Sequence, residues 1–166
     1  MKTITYHSAD FDKTPARIPV EMPDKLIHKA VESEGVKTAY SAERKHPVYF
    51  VDLPSHAISV TLGGLLPGGC SNRHRHTYET ILYVLEGRGY TLVDDRRVDW
   101  EVGDAVYIPV WAWHHHVNLD DEKPAKYLAC ENAPMLQNMG RLAIREEMAR
   151  YLPYKLPIDE NEKYKN

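Results

Sequence analysis

Three histidines carry the strongest chemical signal in this sequence. His74 and His76 stand two residues apart in a segment that reads as a β-strand, and His114 follows in a second apolar, strand-like stretch. Residues i and i+2 of a strand point to the same face, so both imidazoles of the pair should project into one space. Three neutral imidazoles suit iron, copper, nickel or zinc and do not suit calcium or magnesium. The sequence therefore predicts a metal site formed by His74, His76 and His114.

Other side chains are expected to share the interior with these histidines. Strand alternation places Tyr78 and Thr80 inward, which makes them candidates for substrate contact. It also places His116 inward, where an imidazole that titrates near neutral pH can act catalytically by moving a proton to or from a substrate. Core packing for Tyr78 and a hydrogen-bonded lining role for His116 stay open. His115 points the other way and is expected at the surface or in an interface.

Composition and charge limit the class of protein. The 166 residues carry a formal net charge of −3 without a basic patch, which argues against nucleic acid as a partner. No window approaches the roughly 20 apolar residues of a membrane span, and the first residues lack the apolar run of a secretory signal. Two cysteines, Cys70 and Cys130, make no disulfide framework and fit a reducing compartment. A cytoplasmic protein is expected.

The pattern of the chain predicts three parts. Residues 1–46 form a polar, proline-interrupted arm with a short helix over Asp24–Val31. Residues 47–135 contain short β-rich runs between Gly, Pro and Asp turn signals, a pattern typical of an antiparallel sandwich or barrel. Residues 136–166 include a stretch with helical spacing, 140–152, and a charged tail. The arm, the outward tryptophans and the apolar patches expected on a small barrel favour a homodimer.

Two segments of the predicted barrel resemble the two motifs of the cupin family. Residues 68–76 carry the glycine, the five-residue gap and the His-x-His of the first motif, which ends at Gly87. The second motif is matched, in order, by Gly103, Pro109, His114 and Asn118. Trp111 stands where that motif usually has a glycine. The resemblance implies a double-stranded β-helix, or jelly-roll, barrel with the metal inside. Together with the pattern of the flanking residues, the expected fold is all-β, a cupin barrel with an N-terminal arm and a short C-terminal helix.

The position where cupins usually carry a glutamate ligand holds Thr80 here. Glu79 is the adjacent residue, but alternation points it to the opposite face, and a local bulge would be needed to turn it inward. The sequence thus favours three histidines without a carboxylate. Such a set leaves a divalent ion its full charge and three open octahedral positions, two for a chelating anion and one for dioxygen.

The strings His74–Thr77, Glu86–Tyr90 and Trp111–Asn118 resemble gentisate 1,2-dioxygenases and the related 1-hydroxy-2-naphthoate and salicylate ring-cleaving enzymes. The resemblance implies non-haem Fe(II), bidentate binding of an ortho-hydroxy aromatic acid and oxygen-dependent ring cleavage. Those enzymes are usually double-barrel chains. They also commonly carry an arginine along the first metal strand, where the inward positions here read Tyr78, Thr80, Leu82 and Val84.

Two functional classes therefore stay open. The first is an Fe(II)-dependent dioxygenase that acts on a small anionic chelating substrate, either a hydroxylated aromatic acid or a diketone. The second is a non-redox cupin, either a small-molecule binding module or an isomerase or lyase that uses zinc, nickel or manganese. The open ligand set favours the first class, and the short chain without that arginine favours the second.

Overall fold

Ten β-strands account for most of the regular secondary structure in the part of the chain that the computed structural model describes, which is residues 20, 22–34, 41, 44 and 46–148. The strands are β1 Val48–Phe50, β2 Ser59–Leu65, β3 His74–His76, β4 Thr80–Glu86, β5 Arg88–Val93, β6 Arg96–Glu101, β7 Ala105–Ile108, β8 His114–Asn118, β9 Ala125–Glu131 and β10 Arg145–Glu147. A 3₁₀ turn spans Val31–Glu34, and the helix α1 spans Ala133–Asn138. None of the described helices is long and apolar enough to cross a membrane.

The strands form two five-stranded antiparallel sheets. The first, called here the apolar sheet, has the order β1-β2-β9-β4-β7, and the second, the histidine sheet, has the order β10-β3-β8-β5-β6. Neighbours within each sheet are mostly distant in sequence, as in a jelly roll, because the chain crosses repeatedly between the sheets. The prediction of an all-β jelly-roll barrel is confirmed.

Alternating burial shows how the apolar sheet encloses the interior. Along β4, Thr80, Leu82 and Val84 are buried while Ile81 and Tyr83 are exposed. A side chain of this size contributes about 1.5–3 kcal/mol when fully buried. The core cluster consists of Leu65, Leu82, Val84, Trp100, Val106, Ile108, Ala125, Tyr127 and Ala129. Most of these residues lie on the apolar sheet, so the core stabilises one wall of the barrel and leaves the other wall for polar side chains.

Two turns explain how the chain enters the histidine sheet. Gly87, between β4 and β5, has φ +83°, and a Cβ there would lie 2.8 Å from Ala125. Asp94 forms the β5–β6 hairpin turn with φ 48°, a conformation that Asp tolerates better than most residues. Its Oδ1 accepts a hydrogen bond from the Trp113 amide at 3.0 Å, and its own amide donates to the Trp113 carbonyl at 2.7 Å. The hairpin tip therefore positions the start of β8.

The helix predicted over residues 140–152 is wrong for the part that the structure describes, which ends at Met148. Residues Arg145–Glu147 form β10, and the only helix after the barrel in the described chain is Ala133–Asn138. β10 pairs antiparallel with β3, and the Thr77 amide donates to the Ile144 carbonyl at 3.0 Å. Pairing with the edge of β3 satisfies backbone groups on both strands and overrides a weak local helical spacing.

The short helix predicted over Asp24–Val31 is also wrong, because the only helical turn in this part of the described chain begins at Val31. The preceding residues run without regular structure, and His28 accepts a hydrogen bond at Nδ1 from the Asp52 amide at 3.0 Å. Contacts with the loop after β1 thus replace the local helix.

Candidate metal centre

The three histidines of the two motifs meet on adjacent strands. β3 and β8 pair antiparallel with His74 directly opposite His114, and alternation along β3 brings His76 to the same face. One ring nitrogen from each of the three lies within 4.8 Å of the others. His74, His76 and His114 are 7%, 2% and 1% exposed. The structure thus brings together the residues that the spacing singled out.

One hydrogen bond orients each of these imidazoles. The partners of Nδ1 are backbone carbonyl oxygens: Asn72 for His74 at 2.8 Å, Tyr78 for His76 at 2.6 Å and Ala112 for His114 at 2.9 Å. Because a carbonyl oxygen can only accept, each Nδ1 carries the hydrogen and each Nε2 keeps its lone pair. Metal-binding histidines are held in this way, with the second nitrogen bonded to a carbonyl or carboxylate.

Burial keeps the same imidazoles neutral. Loss of solvation, with the charge of the Arg145 guanidinium as a smaller cause, lowers the pKa of His114 to about 3 and that of His76 to about 4. The pKa of His74 is held well below its ordinary value by burial and by His114. Neutral imidazoles are the form that binds a metal. A set of three convergent, neutral nitrogen donors fits iron, nickel, copper or zinc.

No carboxylate joins these three histidines within the part of the chain that the structure describes. Glu79 is exposed, and its Oε1 accepts a hydrogen bond from the Tyr107 hydroxyl at 2.9 Å on the outer face. β4 begins at Thr80 without the bulge that would turn Glu79 inward. The expected three-histidine arrangement is the one observed.

Tyr78 and Thr80 both lie inward, as alternation predicts, and line the cavity beside the histidines. The Tyr78 ring stacks on His76, with centroids 3.9 Å apart and planes 3° from parallel. Since the Tyr78 carbonyl also accepts from His76 Nδ1, this residue holds the imidazole twice. Thr80 donates from Oγ1 to Glu131 Oε1 at 3.3 Å. The cavity measures about 80 Å³, enough for several water molecules.

His116 also lines the cavity, but its hydrogen bond differs in kind. Its Nδ1 lies 2.9 Å from Thr91 Oγ1, which already accepts from the Trp100 indole N–H at 3.1 Å. Thr91 is fully buried, and His116 is the acceptor that the structure describes for its hydroxyl hydrogen. A buried hydroxyl without an acceptor is costly, so Thr91 donates to His116 and Nε2 carries the imidazole hydrogen. Burial and His114 hold the pKa of His116 well below its usual range.

His115 was expected at the surface or in an interface, and the structure corrects this expectation. Its side chain is 2% exposed although it points away from the cavity. Burial, followed by the charge of Arg73, lowers its pKa to about 4. β8 lies in the middle of the histidine sheet. Alternation identifies the face on which a side chain lies but does not say what covers that face.

An arginine reaches the cavity from β10, although the inward positions Tyr78, Thr80, Leu82 and Val84 include none. Arg145 lies directly opposite His76 in the β10–β3 register and lines the cavity. Its guanidinium donates to Glu147 Oε1 at 3.1 and 3.2 Å, and Arg44 pairs with the same oxygen. Sequence reasoning missed both arginines, because helical spacing was assigned to residues 140–152 and residues 1–46 were assigned to a polar arm.

Trp111, which stands where the second motif usually has a glycine, adopts the left-handed backbone conformation that glycine favours. It has φ 65°, and its amide donates to the His76 carbonyl at 2.8 Å. On the outer face, Arg75 lies between the Trp111 and Trp113 rings, 4.4 and 4.5 Å from their centroids, and donates to Glu146 at 2.7 Å. Cation–π contacts of this kind, worth about 0.5–1 kcal/mol each, offset the backbone strain.

Comparison with known proteins agrees with this geometry. Residues 62–131 match the family model described as "Cupin domain". The chain is 41% identical over 73 residues to a gentisate 1,2-dioxygenase of Aquipseudomonas alcaligenes. This match covers 43% of this chain and 21% of that protein. A 5-aminosalicylate 1,2-dioxygenase of a Comamonas species is 33% identical over 46% of this chain and 20% of that protein. The chain thus spans about a fifth of these relatives' length.

Solved structures support the fold. The crystal structure of a salicylate 1,2-dioxygenase from Pseudaminobacter salicylatoxidans matches with a TM-score of 0.58 and 23% identity, over 70% of this chain and 36% of that one. A cupin-2 domain protein of Rhodospirillum rubrum matches with a TM-score of 0.50 and 24% identity, over 54% of this chain and 61% of that one. Residues 62–131 thus match a cupin domain model, and the histidines of both motifs form one buried cluster in the structure.

Proposed function

We propose that this protein is a non-haem Fe(II) dioxygenase that acts on a small anionic chelating substrate, either a hydroxylated aromatic acid or a diketone. The observation that carries the proposal is the buried cluster of three neutral imidazoles without a carboxylate ligand. Such a set leaves the charge of a divalent ion undiminished, which favours an anionic ligand. Arg44 and Arg145 add positive charge to the same cavity.

In this proposal His74, His76 and His114 hold the ion through Nε2, and bound iron supplies Lewis acidity and reactivity with dioxygen. Arg145 is placed beside the histidines, and a guanidinium is well suited to pair with a substrate carboxylate. Leu82 provides apolar surface against a ring.

His116 takes the catalytic role in the proposal, holding a proton at Nε2. Because Thr91 donates to Nδ1, the hydrogen on the opposite side of the ring is available to a substrate oxygen. Tyr78 and Thr80 are the proposed substrate contacts, since both reach the cavity wall. The relatives are named for gentisate and 5-aminosalicylate, each of which has a carboxylate beside a phenol. That pair of groups is the chelating anion required here.

A non-redox cupin is the second candidate, either a binding module or an isomerase or lyase that uses zinc, nickel or manganese. The short overlap favours it, since the chain spans about a fifth of the dioxygenases it matches. Three histidine nitrogens also suit zinc. The two candidates share the site and the anionic ligand and differ in whether dioxygen reacts.

Electron paramagnetic resonance of the anaerobic Fe(II)-loaded protein with nitric oxide separates the candidates without any guess about the substrate. The dioxygenase proposal expects a high-spin iron–nitrosyl signal, followed by oxygen uptake with an ortho-hydroxy aromatic acid or a diketone. The His76→Ala variant should lose the signal and serves as the control. Iron that binds but ignores nitric oxide, or a protein that takes up zinc and not iron, would favour the non-redox candidate.

We also propose that the protein is a homodimer that buries the outer face of the apolar sheet. Ile81, Tyr83 and Tyr107 lie there, 52%, 45% and 53% exposed, with Ile81 opposite Tyr107 in the register. Contiguous exposed apolar side chains of this kind mark interaction surfaces. Light scattering should give twice the mass of one chain, and Tyr83→Lys should weaken the association. A monomer at micromolar concentration would contradict the proposal.

A further inference from the structure

Glu131, the last residue of β9, has a place in the cavity that the proposed chemistry does not use. Among the described residues that line the cavity, it alone carries a carboxyl group. Burial raises its pKa above the ordinary value for a glutamate, which marks the cost of keeping this group away from water. A buried polar group with that cost calls for hydrogen-bonding partners.

Hydroxyl groups on the strands beside β9 contact Glu131. Its register partner on β4 is Thr80, whose hydroxyl donates to Oε1 at 3.3 Å. Its register partner on β2 is Ser59, whose hydroxyl lies 3.5 Å from the Glu131 carbonyl. Thr80 and Glu131 thus form a polar pair on the apolar sheet, within a wall that is otherwise largely apolar, with Leu82 and Ala129 as inward neighbours.

Glu131 and Arg145 lie on different walls of the cavity. Arg145 and Arg44 attract the Glu131 carboxyl electrostatically, but the ion pairs described for both run to Glu147. Arg145 lies on the histidine sheet, and Glu131 lies on the apolar sheet. The cavity therefore has an anion-binding wall with the histidines and Arg145, and an acceptor wall with Glu131 and Thr80.

We propose that Glu131 and Thr80 determine specificity by accepting a hydrogen bond from a hydroxyl or amino group on the substrate, remote from its chelating carboxylate and phenol. This inference rests on the proposed function, because the chelating end must bind at the histidines. A ligand that lacks the donor would leave a buried carboxyl without that bond, which a site built for hydrogen bonding rejects strongly. The expected discrimination is about tenfold to a hundredfold in affinity.

The test is calorimetric binding of ring acids to the Zn(II)-loaded protein, which does not depend on turnover. The probes are salicylate, the four dihydroxybenzoates that keep its carboxylate and ortho hydroxyl, and 5-aminosalicylate. The wild-type protein should bind at least one ligand with the extra donor about tenfold to a hundredfold more tightly than salicylate. Equal affinity for all of them would overturn the inference and leave the proposed function standing.

Variants identify the residue responsible. The readout is the affinity for the best ligand with the extra donor divided by the affinity for salicylate. Glu131→Leu should bring the ratio close to one, whereas Glu131→Gln should retain part of it because the amide oxygen still accepts. Glu79→Leu removes a carboxylate from the outer face and should leave the ratio unchanged. A ratio that survives in Glu131→Leu would overturn the inference. If none of the ring acids binds, a hydroxylated aromatic acid is not the substrate, and the inference fails with that part of the proposed function.

Discussion

The three clustered histidines and His116 are alike in their burial and in the direction of their pKa shifts, but they differ in one hydrogen bond. Both are buried on neighbouring strands, and burial lowers the pKa of both. The difference is the partner of Nδ1, which is a backbone carbonyl for His74, His76 and His114 and the Thr91 hydroxyl for His116. A carbonyl forces Nδ1 to donate, and Thr91 makes it accept. One hydrogen bond thus decides whether a buried imidazole offers a lone pair or a hydrogen to the cavity.

Removing one of the three clustered histidines is expected to have the largest effect. His76→Ala should lower metal affinity well beyond the roughly 10- to 100-fold that is typical when a supporting hydrogen bond is lost. The His116→Ala variant should keep the metal, because Nε2 of His116 carries a hydrogen and has no lone pair to offer to a metal ion. Metal content after dialysis and metal titration measure both variants. Equal metal loss from the two variants would show that His116 is also a ligand.

Acid should destabilise the fold, because burial lowers the pKa of several histidines. His46, His76 and His115 have a pKa of about 4, mainly because of burial, whereas the unfolded chain binds these protons near pH 6.5. Between these values the unfolded state binds more protons, so the free energy of unfolding should fall as the pH is lowered from 6.5 to 4. Urea unfolding of the metal-free protein at several pH values measures this effect. A flat profile over that range would contradict it.

Replacing Thr91 should change His116 without touching the ligand cluster. Thr91→Val removes the partner of both His116 Nδ1 and the Trp100 indole N–H, at a cost of about 1–3 kcal/mol in unfolding free energy. Anionic ligands should bind more weakly while the metal stays bound. Thr91→Ser keeps the hydroxyl and is the matched control. If metal affinity fell as much as ligand affinity, the two groups of histidines would not be independent.

The smallest effect is expected at Trp111, whose backbone amide donates a hydrogen bond to the carbonyl of His76. Trp111→Gly relieves the strain of φ 65° but loses the contact with Arg75. Each contribution is about 1 kcal/mol, so the net change in unfolding free energy should stay within about 1 kcal/mol. Thermal unfolding measures it, and Trp111→Ala, which keeps the strain, should be the less stable of the two. The reverse order would show that strain at this position is unimportant.

Local pattern was sufficient to predict the inward residues of the metal strands. Alternation with a period of two requires only the identity of the strand, and it correctly separated Tyr78 and Thr80 from Glu79. Motif spacing likewise placed His114 with His74 and His76, because the two motifs lie on strands that pair in this fold. These features depend on neighbours in the sequence or on a pattern already associated with one fold.

Strand pairing between distant parts of the chain brings the remaining groups to the cavity. Arg145 reaches the histidines because residues 145–147 pair with β3, and Glu131 faces them because β9 lies beside β4. His115 is buried and His116 receives a hydrogen from Thr91 for the same kind of reason. Pairing energy comes from backbone groups that nearly all residue types share, so side-chain pattern identifies a strand but not its partner. The three convergent histidines and the barrel follow from the sequence pattern, whereas long-range strand pairing sets the charges and tautomers around them.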